Sequence, residues 1–311
     1  MSGEVIVTVT LNAALHVTYR VGRAEPGEHM TPVSRPRYLA GGRGVTVARL
    51  LHEFGHDVLA AGLAGGATGE LIVQDLARSA VPAEFTQIRG ESRRIFAFGD
   101  GDGDGDRDRD RDAVRRFAEP GPYITTEELG RFAADYRRML ASAAAVVLCG
   151  SLPDGLPPDM YASLVRYAAE AGVPAVLDGG GEEMVLATRK CPDLVVAEAR
   201  DADAAQDLLR SGAVAAAVIV DGTVSVVTKS ERWTARVSPS SAPSAGPATP
   251  FAVLDRGALV AGLVPGELLG WSWPDRLRHS VALAATVARS GGEPGLSGYE
   301  TLLDTVTITS Q

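Results

Sequence analysis

Two periods of hydrophobic and polar positions divide the chain. Near the start, Val5-Ile-Val-Thr-Val-Thr10 alternates as a strand does. Ile95-Phe-Ala-Phe98 and Ala113 to Phe117 predict two further strands, facing each other across the segment between them. From Thr125 onward the rhythm is strand and helix in turn. Thr125 to Ala143 predicts an amphipathic helix capped by Thr125 or Thr126, and Ala145 to Cys149 a short buried strand ending at Gly150-Ser-Leu-Pro153. Pro158 to Ala171 predicts the next helix, and Pro174 to Leu177 the next strand, ending at Asp178 and three glycines. Leu194-Val-Val196, Ala215 to Val220 and Val224 to Val227 continue the strands, and Ala258 to Gly270 and Trp273 to Ser290 close the pattern with two helices. Such alternation implies an α/β fold: a mostly parallel central sheet with helices on both faces, and ligands at the carboxyl ends of its strands. The glycine-rich turns after Cys149 and Leu177 are therefore where chemistry is expected.

Two segments stand outside this rhythm. Gly99 to Asp112 repeats Gly-Asp four times and Arg-Asp three times, and its seven aspartates against three arginines cannot form a core. It reads as a disordered insertion at a hairpin tip, and its spacing lacks the closing glutamate of an EF-hand calcium loop. Ser238 to Pro250, rich in Ser, Pro and Ala, reads as a flexible connection rather than a domain boundary.

Composition narrows the picture. With 311 residues and 45% hydrophobic content the chain fits a single domain over 1–311. No apolar run is long enough to cross a membrane, and the first residues lack the basic segment of an export signal, so a cytoplasmic location is expected. A net charge of −9 argues against nucleic acid and anionic membranes as partners, whereas a few local arginines suffice for a small anion. Cys149 and Cys191 read as reduced residues in or near the core. Only Lys190 and Lys229 are lysines among 30 basic residues, so arginine has replaced lysine generally.

Ala40-Gly-Gly-Arg-Gly-Val-Thr-Val-Ala-Arg49 places glycines directly before a helix, where backbone amides can meet an anion. Taken alone, the cluster is equally a tight turn. It is followed and preceded, however, by segments in a set order: Val7-Thr-Val-Thr-Leu-Asn12 with Leu15 and Val17 to Arg20, then Gly62-Leu-Ala-Gly65 with Gly69, Glu91-Ser-Arg-Arg94, Glu119-Pro-Gly-Pro122, Gly150-Ser-Leu-Pro153 and Asp178. In this order they resemble the PfkB family of carbohydrate kinases, closest to the 1-phosphofructokinase and tagatose-6-phosphate kinase branch. The resemblance implies a ribokinase-like fold with a small β-sheet lid from about 10–38 and 88–122, which closes over the sugar and pairs two copies into a homodimer. It implies ATP and Mg2+ as cofactors and a phosphosugar as the small-molecule partner. Sugar contacts would fall on Asn12, His16, Gly41, Gly42, Arg43, Thr46, Arg94 and Ser151. Nucleotide and phosphate contacts would fall on Glu198, Asp201, Gly222, Leu254 and Arg256, with Glu198 and Asp201 attracting a hydrated magnesium ion.

Several of these positions depart from the family pattern. His16 stands for an aspartate, Ala13 for a proline, Arg43 for a lysine and Thr46 for an asparagine. Val196-Ala-Glu-Ala-Arg-Asp201 stands where Lys-Pro-Asn-x-x-Glu is expected, and Val218-Ile-Val-Asp-Gly222 shortens a Ser-x-Gly-Ala-x-Gly loop. Leu254-Asp255-Arg256-Gly257 stands where the family has Gly-Ala-Gly-Asp, whose aspartate takes the proton from the sugar hydroxyl. Gly257 thus marks a lost base, with Asp255 as a substitute two residues upstream. Two functions follow: a phosphosugar-binding pseudokinase, or an active 6-phosphofructokinase, 1-phosphofructokinase or tagatose-6-phosphate kinase that uses Asp255 as a relocated base. Ser151 is not in a Gly-x-Ser-x-Gly elbow, which argues against a hydrolase. His29, His52, His56 and His279 lack metal spacing.

Overall fold

The computed structural model describes residues 5–21, 29, 31–100, 115–237, 254–290 and 296–310. In chain order its elements are β1 (Val5–Thr10), β2 (Ala14–Val21), β3 (Arg37–Gly41), α1 (Arg43–Glu53), β4 (Val58–Gly65), α2 (Gly66–Arg78), β5 (Ala83–Ile88), β6 (Arg93–Asp100) and β7 (Arg115–Ala118). The middle of the chain forms α3 (Thr126–Leu140), β8 (Ala143–Cys149), α4 (Met160–Glu170), β9 (Ala175–Asp178), α5 (Gly181–Thr188), β10 (Leu194–Glu198), α6 (Asp203–Arg210), β11 (Ala215–Val220) and β12 (Thr223–Val227). The remainder is β13 (Arg232–Val237), α7 (Arg256–Leu268), α8 (Trp273–Arg289), α9 (Tyr299–Leu303) and β14 (Val306–Ser310).

Ten strands form one sheet in the order β14-β13-β12-β11-β10-β9-β8-β1-β4-β5, parallel from β5 to β11 and antiparallel beyond. Period-two alternation sorts its side chains between two cores: Ile6, Ala145 and Val147 face α1, α7 and α8, whereas Val7, Val9, Val146 and Leu148 face α3 and α4. The chain leaves β1 toward β4 on one side and returns to β8 on the other, so the strand order reverses between β1 and β8. That reversal opens a crevice beyond their carboxyl ends, at the paired residues Thr10 and Cys149.

Local chemistry sets the helix ends that matter. Thr125 accepts from the Glu128 amide while Glu128 reaches back to the Thr125 amide, a reciprocal cap that starts α3 at the predicted place. The helix stops at Leu140, earlier than the sequence pattern suggests, because Ala143 already opens β8. Helix α7 packs on α8 so closely that a Cβ on Gly262 would lie 2.4 Å from the Ser280 Cα. This seam fixes where the α7 N-terminus points, which is into the crevice.

Strands β3-β2-β6-β7 form a separate four-stranded sheet over that crevice. Register assigns its faces: Leu15, Val17 and Tyr19 lie opposite Arg94, Phe96 and Phe98, and His16 lies opposite Ile95. Aromatic rings line the first face, with Tyr19 stacked on Phe98 at 5.5 Å and Phe96 facing Phe117 at 6.3 Å. Phe117 stays 59% exposed. The paired strands Ile95–Phe98 and 115–117 appear as expected. Residues 101–112 of the Gly-Asp and Arg-Asp repeat and the segment 238–250 lie outside the described residues, while Gly99 and Asp100 end β6. Among the described residues no helix is long and apolar enough to cross a membrane.

Candidate functional site

The crevice between the two sheets is a cleft of about 650 Å³. Its floor comes from the end of β1 (Thr10, Asn12), the turn after β8 (Cys149 to Ser151), the start of α1 (Gly42, Arg43, Thr46) and the start of α7 (Leu254 to Gly257). Its roof is the second face of the small sheet, through His16, Arg93, Ile95 and Arg116.

Close packing makes the α1 start a tight turn. Gly42 has φ of 109°, and a Cβ there would lie 2.6 Å from the Thr10 methyl, so only glycine fits. A Cβ on Gly41 would meet the His16 ring at 2.4 Å, which places the imidazole flat against this turn. Burial, then Arg116 and Arg93, lowers the His16 pKa, so the ring is neutral near pH 7 and offers one donor and one acceptor. Asn12 donates to Ser151 Oγ at 3.2 Å, and among the described residues its own buried Oδ1 has no hydrogen-bond partner. Arg93 donates to the Asn12 carbonyl at 3.3 Å and ties the roof to the floor. Tyr161 shares its hydroxyl proton between the Cys149 and Gly150 carbonyls, at 2.9 and 3.1 Å, which holds the turn after β8.

A charge cluster lies beneath. Asp178, at the end of β9, is completely buried between two guanidiniums: Arg43 Nη1 donates to Oδ2 at 3.2 Å, and Arg256 Nε lies 2.7 Å from Oδ1. The second is a contact of charges rather than an aligned hydrogen bond. Burial pushes Asp178 up to about 6, against the pull of Arg256 and Arg43. Arg256 also reaches Glu198 Oε1 at 3.9 Å. Burial, then the Asp178 charge, pushes the Cys149 thiol well above its usual range. Cys191, read from sequence as near-core, is instead exposed in the turn after α5.

Asp255 is the N-cap of α7, and its Oδ1 accepts from the Ala258 amide at 2.8 Å. Gly257 faces the cleft. A Cβ there would come 3.3 Å from Asp255 Oδ1 and 3.4 Å from both Arg43 Cγ and Thr46 Cγ2, close but relieved by small shifts.

Of the residues expected from sequence, Asn12, His16, Gly42, Arg43, Thr46, Ser151, Glu198, Leu254, Asp255, Arg256 and Gly257 meet in this cleft, with Gly41 directly beneath His16. Three do not. Arg94 lies opposite Leu15 on the far face of the small sheet, where it pairs with Glu119 at 3.2 Å; its neighbour Arg93 takes the cleft position, because successive strand residues face opposite sides. Asp201 turns its carboxylate to the start of α6, accepting from the Asp203 and Ala204 amides at 3.1 and 3.2 Å. Gly222, with φ of 71°, forms the tight β11–β12 turn beside Asp221 and does not line the cleft. The roof residues Arg93 and Arg116 escaped sequence reasoning; strand pairing with β2 is the signal that reveals them.

The expected magnesium pair is thus not assembled. Asp201 is held by the Asp203 and Ala204 amides, Glu198 faces Arg256, and among the described residues no three His, Cys, Asp or Glu side chains are grouped to hold a metal. What the arrangement offers chemically is a cleft with four guanidiniums, suited to phosphate oxyanions, and at the α7 start one carboxylate, Asp255, tied to the helix through Oδ1.

The family model for pfkB family carbohydrate kinases matches residues 6–231. A curated tagatose-6-phosphate kinase of Staphylococcus epidermidis strain RP62A is 32% identical over 179 residues, covering 58% of this chain and 54% of that protein. Its counterpart in strain ATCC 12228 is 32% identical over 192 residues, covering 61% and 58%. The matched stretch therefore spans little more than half the length of these curated relatives. A solved Thermotoga maritima protein described as a possible 1-phosphofructokinase superposes with a TM-score of 0.82 at 22% identity, covering 99% of this chain and all of that one. Phosphofructokinase-2 from Escherichia coli in complex with fructose-6-phosphate superposes with a TM-score of 0.78 at 21% identity, covering 98% and 99%. At these identities the structures share the fold.

Proposed function

The chain belongs to the pfkB family of carbohydrate kinases, and from that premise we propose that its cleft binds a ketohexose phosphate while having lost most or all phosphotransfer. One observation carries this reading: the start of α7 presents the Arg256 guanidinium, position 257 is a glycine, and the single carboxylate, Asp255, is held as the helix cap through Oδ1. Phosphoryl transfer asks the protein for positioning, charge neutralisation and an acceptor for the hydroxyl proton. Absence of that acceptor removes about 10² to 10⁴ in rate. The curated relatives are tagatose-6-phosphate kinases and a structural neighbour holds fructose-6-phosphate, which supports a phosphorylated ketohexose as the ligand class. Arg43, Arg93 and Arg116 are the groups to hold its phosphate, with Asn12, His16 and Ser151 at its hydroxyls.

The nucleotide side supports the same reading. ATP, the phosphoryl donor of the family, would meet the Glu198 carboxylate and a β11–β12 turn with a single glycine, so it binds weakly. A homodimer through the small sheet is part of the proposal, supported by the exposed Phe117 on its aromatic face.

Titration of the purified protein by calorimetry with fructose 1-phosphate, fructose 6-phosphate and ATP tests the proposal. Phosphosugar binding with weaker ATP binding is expected; submillimolar ATP binding without phosphosugar binding would refute it. The competing reading, an active kinase with Asp255 as base, draws on the position of Asp255 in the cleft wall. Its carboxylate is already engaged as the helix cap, and Asp255→Asn separates the two readings because asparagine keeps the cap and cannot take a proton.

A further inference from the structure

Two carboxylates converge on the cleft floor from neighbouring parallel strands, Asp178 at the end of β9 and Glu198 at the end of β10. Such a pair beside a phosphate site would ordinarily draw a hydrated divalent cation. Here the position is taken by a side chain. Arg256 Nε lies 2.7 Å from Asp178 Oδ1 and its Nη1 lies 3.9 Å from Glu198 Oε1, while Arg43 holds the other oxygen of Asp178. Two guanidiniums therefore balance two carboxylates. The Arg256 side chain is 13% exposed, which leaves little space for an ion that keeps several waters. A guanidinium is suited to this place because it stays charged at every working pH and presents several N–H groups in a plane, so it can bridge two acids.

We infer that Arg256 is a resident cation standing in for a divalent metal, so that the cleft binds its anionic ligand through guanidinium groups alone, independently of Mg2+. The ligand part of this inference rests on the phosphosugar reading above; the metal part does not. The Mg2+ that accompanies a triphosphate would meet like charge at Arg256, whereas a phosphate monoester held by Arg43, Arg93 and Arg116 brings no such ion. Arg256 thereby selects between the two ligand classes of the family.

The test uses Mn2+ as probe, followed by spin resonance of the free ion, on the full chain. The native protein should show no site saturating below the millimolar range. Arg256→Met, which keeps the length of the side chain and removes its charge, should bind Mn2+ at least about tenfold more tightly, and Arg256→Met with Asp178→Asn should lose that gain. Arg256→Lys restores the charge and should bind as little Mn2+ as the native chain. Near-ultraviolet circular dichroism establishes that each variant is folded; should Arg256→Met fail this check, Arg256→Gln replaces it. In a second arm, fructose 1-phosphate is titrated into native protein with EDTA and with Mg2+, and the two affinities should agree within about twofold. Tight Mn2+ binding by the native chain, no gain in a folded uncharged variant, or loss of phosphosugar binding in EDTA would each overturn the inference. If fructose 1-phosphate binds under neither condition, the phosphosugar reading fails, and the Mn2+ arm still decides the role of Arg256.

Discussion

The roof and floor of the cleft are both rich in arginine, yet the two use it differently. Among the described residues, Arg93 and Arg116 on the roof have no carboxylate partner, and the nearby Asn12 Oδ1 has no hydrogen-bond partner at all. On the floor Arg256 is paired with Asp178 and Glu198, Arg43 with Asp178, and Asp255 with the helix it caps. Charge satisfied within the chain holds structure; charge left open is available to a ligand. The roof keeps its charge open, and the floor around Asp178 is filled from within.

The sharpest way to break this comparison is to remove the acid at its centre. Asp178→Ala leaves Arg256 largely buried without its main partner, and loss of one member of a buried pair costs about 3–5 kcal/mol. Arg43 is one-third exposed and softens the loss, so about 3 kcal/mol is expected, read as a lower denaturation midpoint. A change under about 0.5 kcal/mol would mean that the floor is not held by its charges.

Phosphotransfer tests the same floor. Native turnover with ketohexose phosphates should lie at least about 10² below the enzymatic median of about 10 per second. Asp255→Asn should leave any residual rate unchanged. Gly257→Asp combined with Leu254→Gly and Arg256→Gly should raise it, since a Cβ at 257 meets only contacts of 3.3 Å and longer and the glycines remove the Arg256 plug. A fast native enzyme silenced by Asp255→Asn would reverse the assignment of the two halves.

On the roof, neighbours in sequence should behave oppositely. Arg93→Ala should weaken fructose 1-phosphate by about 1.5–3 kcal/mol, as expected for a hydrogen bond to a charged group. Arg94→Ala, an exposed partner of Glu119, should change it by less than about 1 kcal/mol. Equal effects at the two positions would mean that the strand faces are misassigned.

A last effect is expected with pH. The Asp178 carboxyl is raised from 3.8 to about 6, so the folded state holds this proton more tightly than the unfolded chain does. Its contribution to stability is full below the unfolded value and is lost as pH rises through about 6. Protonation also releases both arginines, so sulfate, which stays a dianion, should bind more tightly at pH 5 than at pH 7. His16→Gln removes the other group of the cleft that gains charge in this direction. Sulfate affinity independent of pH in the His16→Gln protein would show that Asp178 does not govern the floor.

Much of this was legible in the sequence, for definite reasons. Strands such as Ala143–Cys149 are apolar throughout because both faces are covered, and Thr125 with Glu128 spells its own cap. The edge strand β14 and its neighbour β13 were not legible, since sequences such as Arg-Trp-Thr-Ala-Arg-Val carry little apolar signal and take their conformation from pairing. Most of the cleft followed from motif order, but Arg94 was preferred to Arg93 because only pairing with β2 fixes which of two adjacent residues faces inward. Arg256 was readable as an arginine standing where the resemblance expects a glycine. Its bridge to Asp178 and Glu198 joins three distant segments and exists only in the folded chain.

Cys149 gives the buried floor a clock. Its thiol is fully enclosed beneath the cleft and held in the protonated, unreactive form, whereas Cys191 is exposed. A thiol reagent should therefore label the chain in two phases, the first complete as soon as it is mixed and the second paced by how often the floor comes apart. The slow phase counts openings of the β8 turn directly, and any ligand that clamps roof to floor must lengthen it.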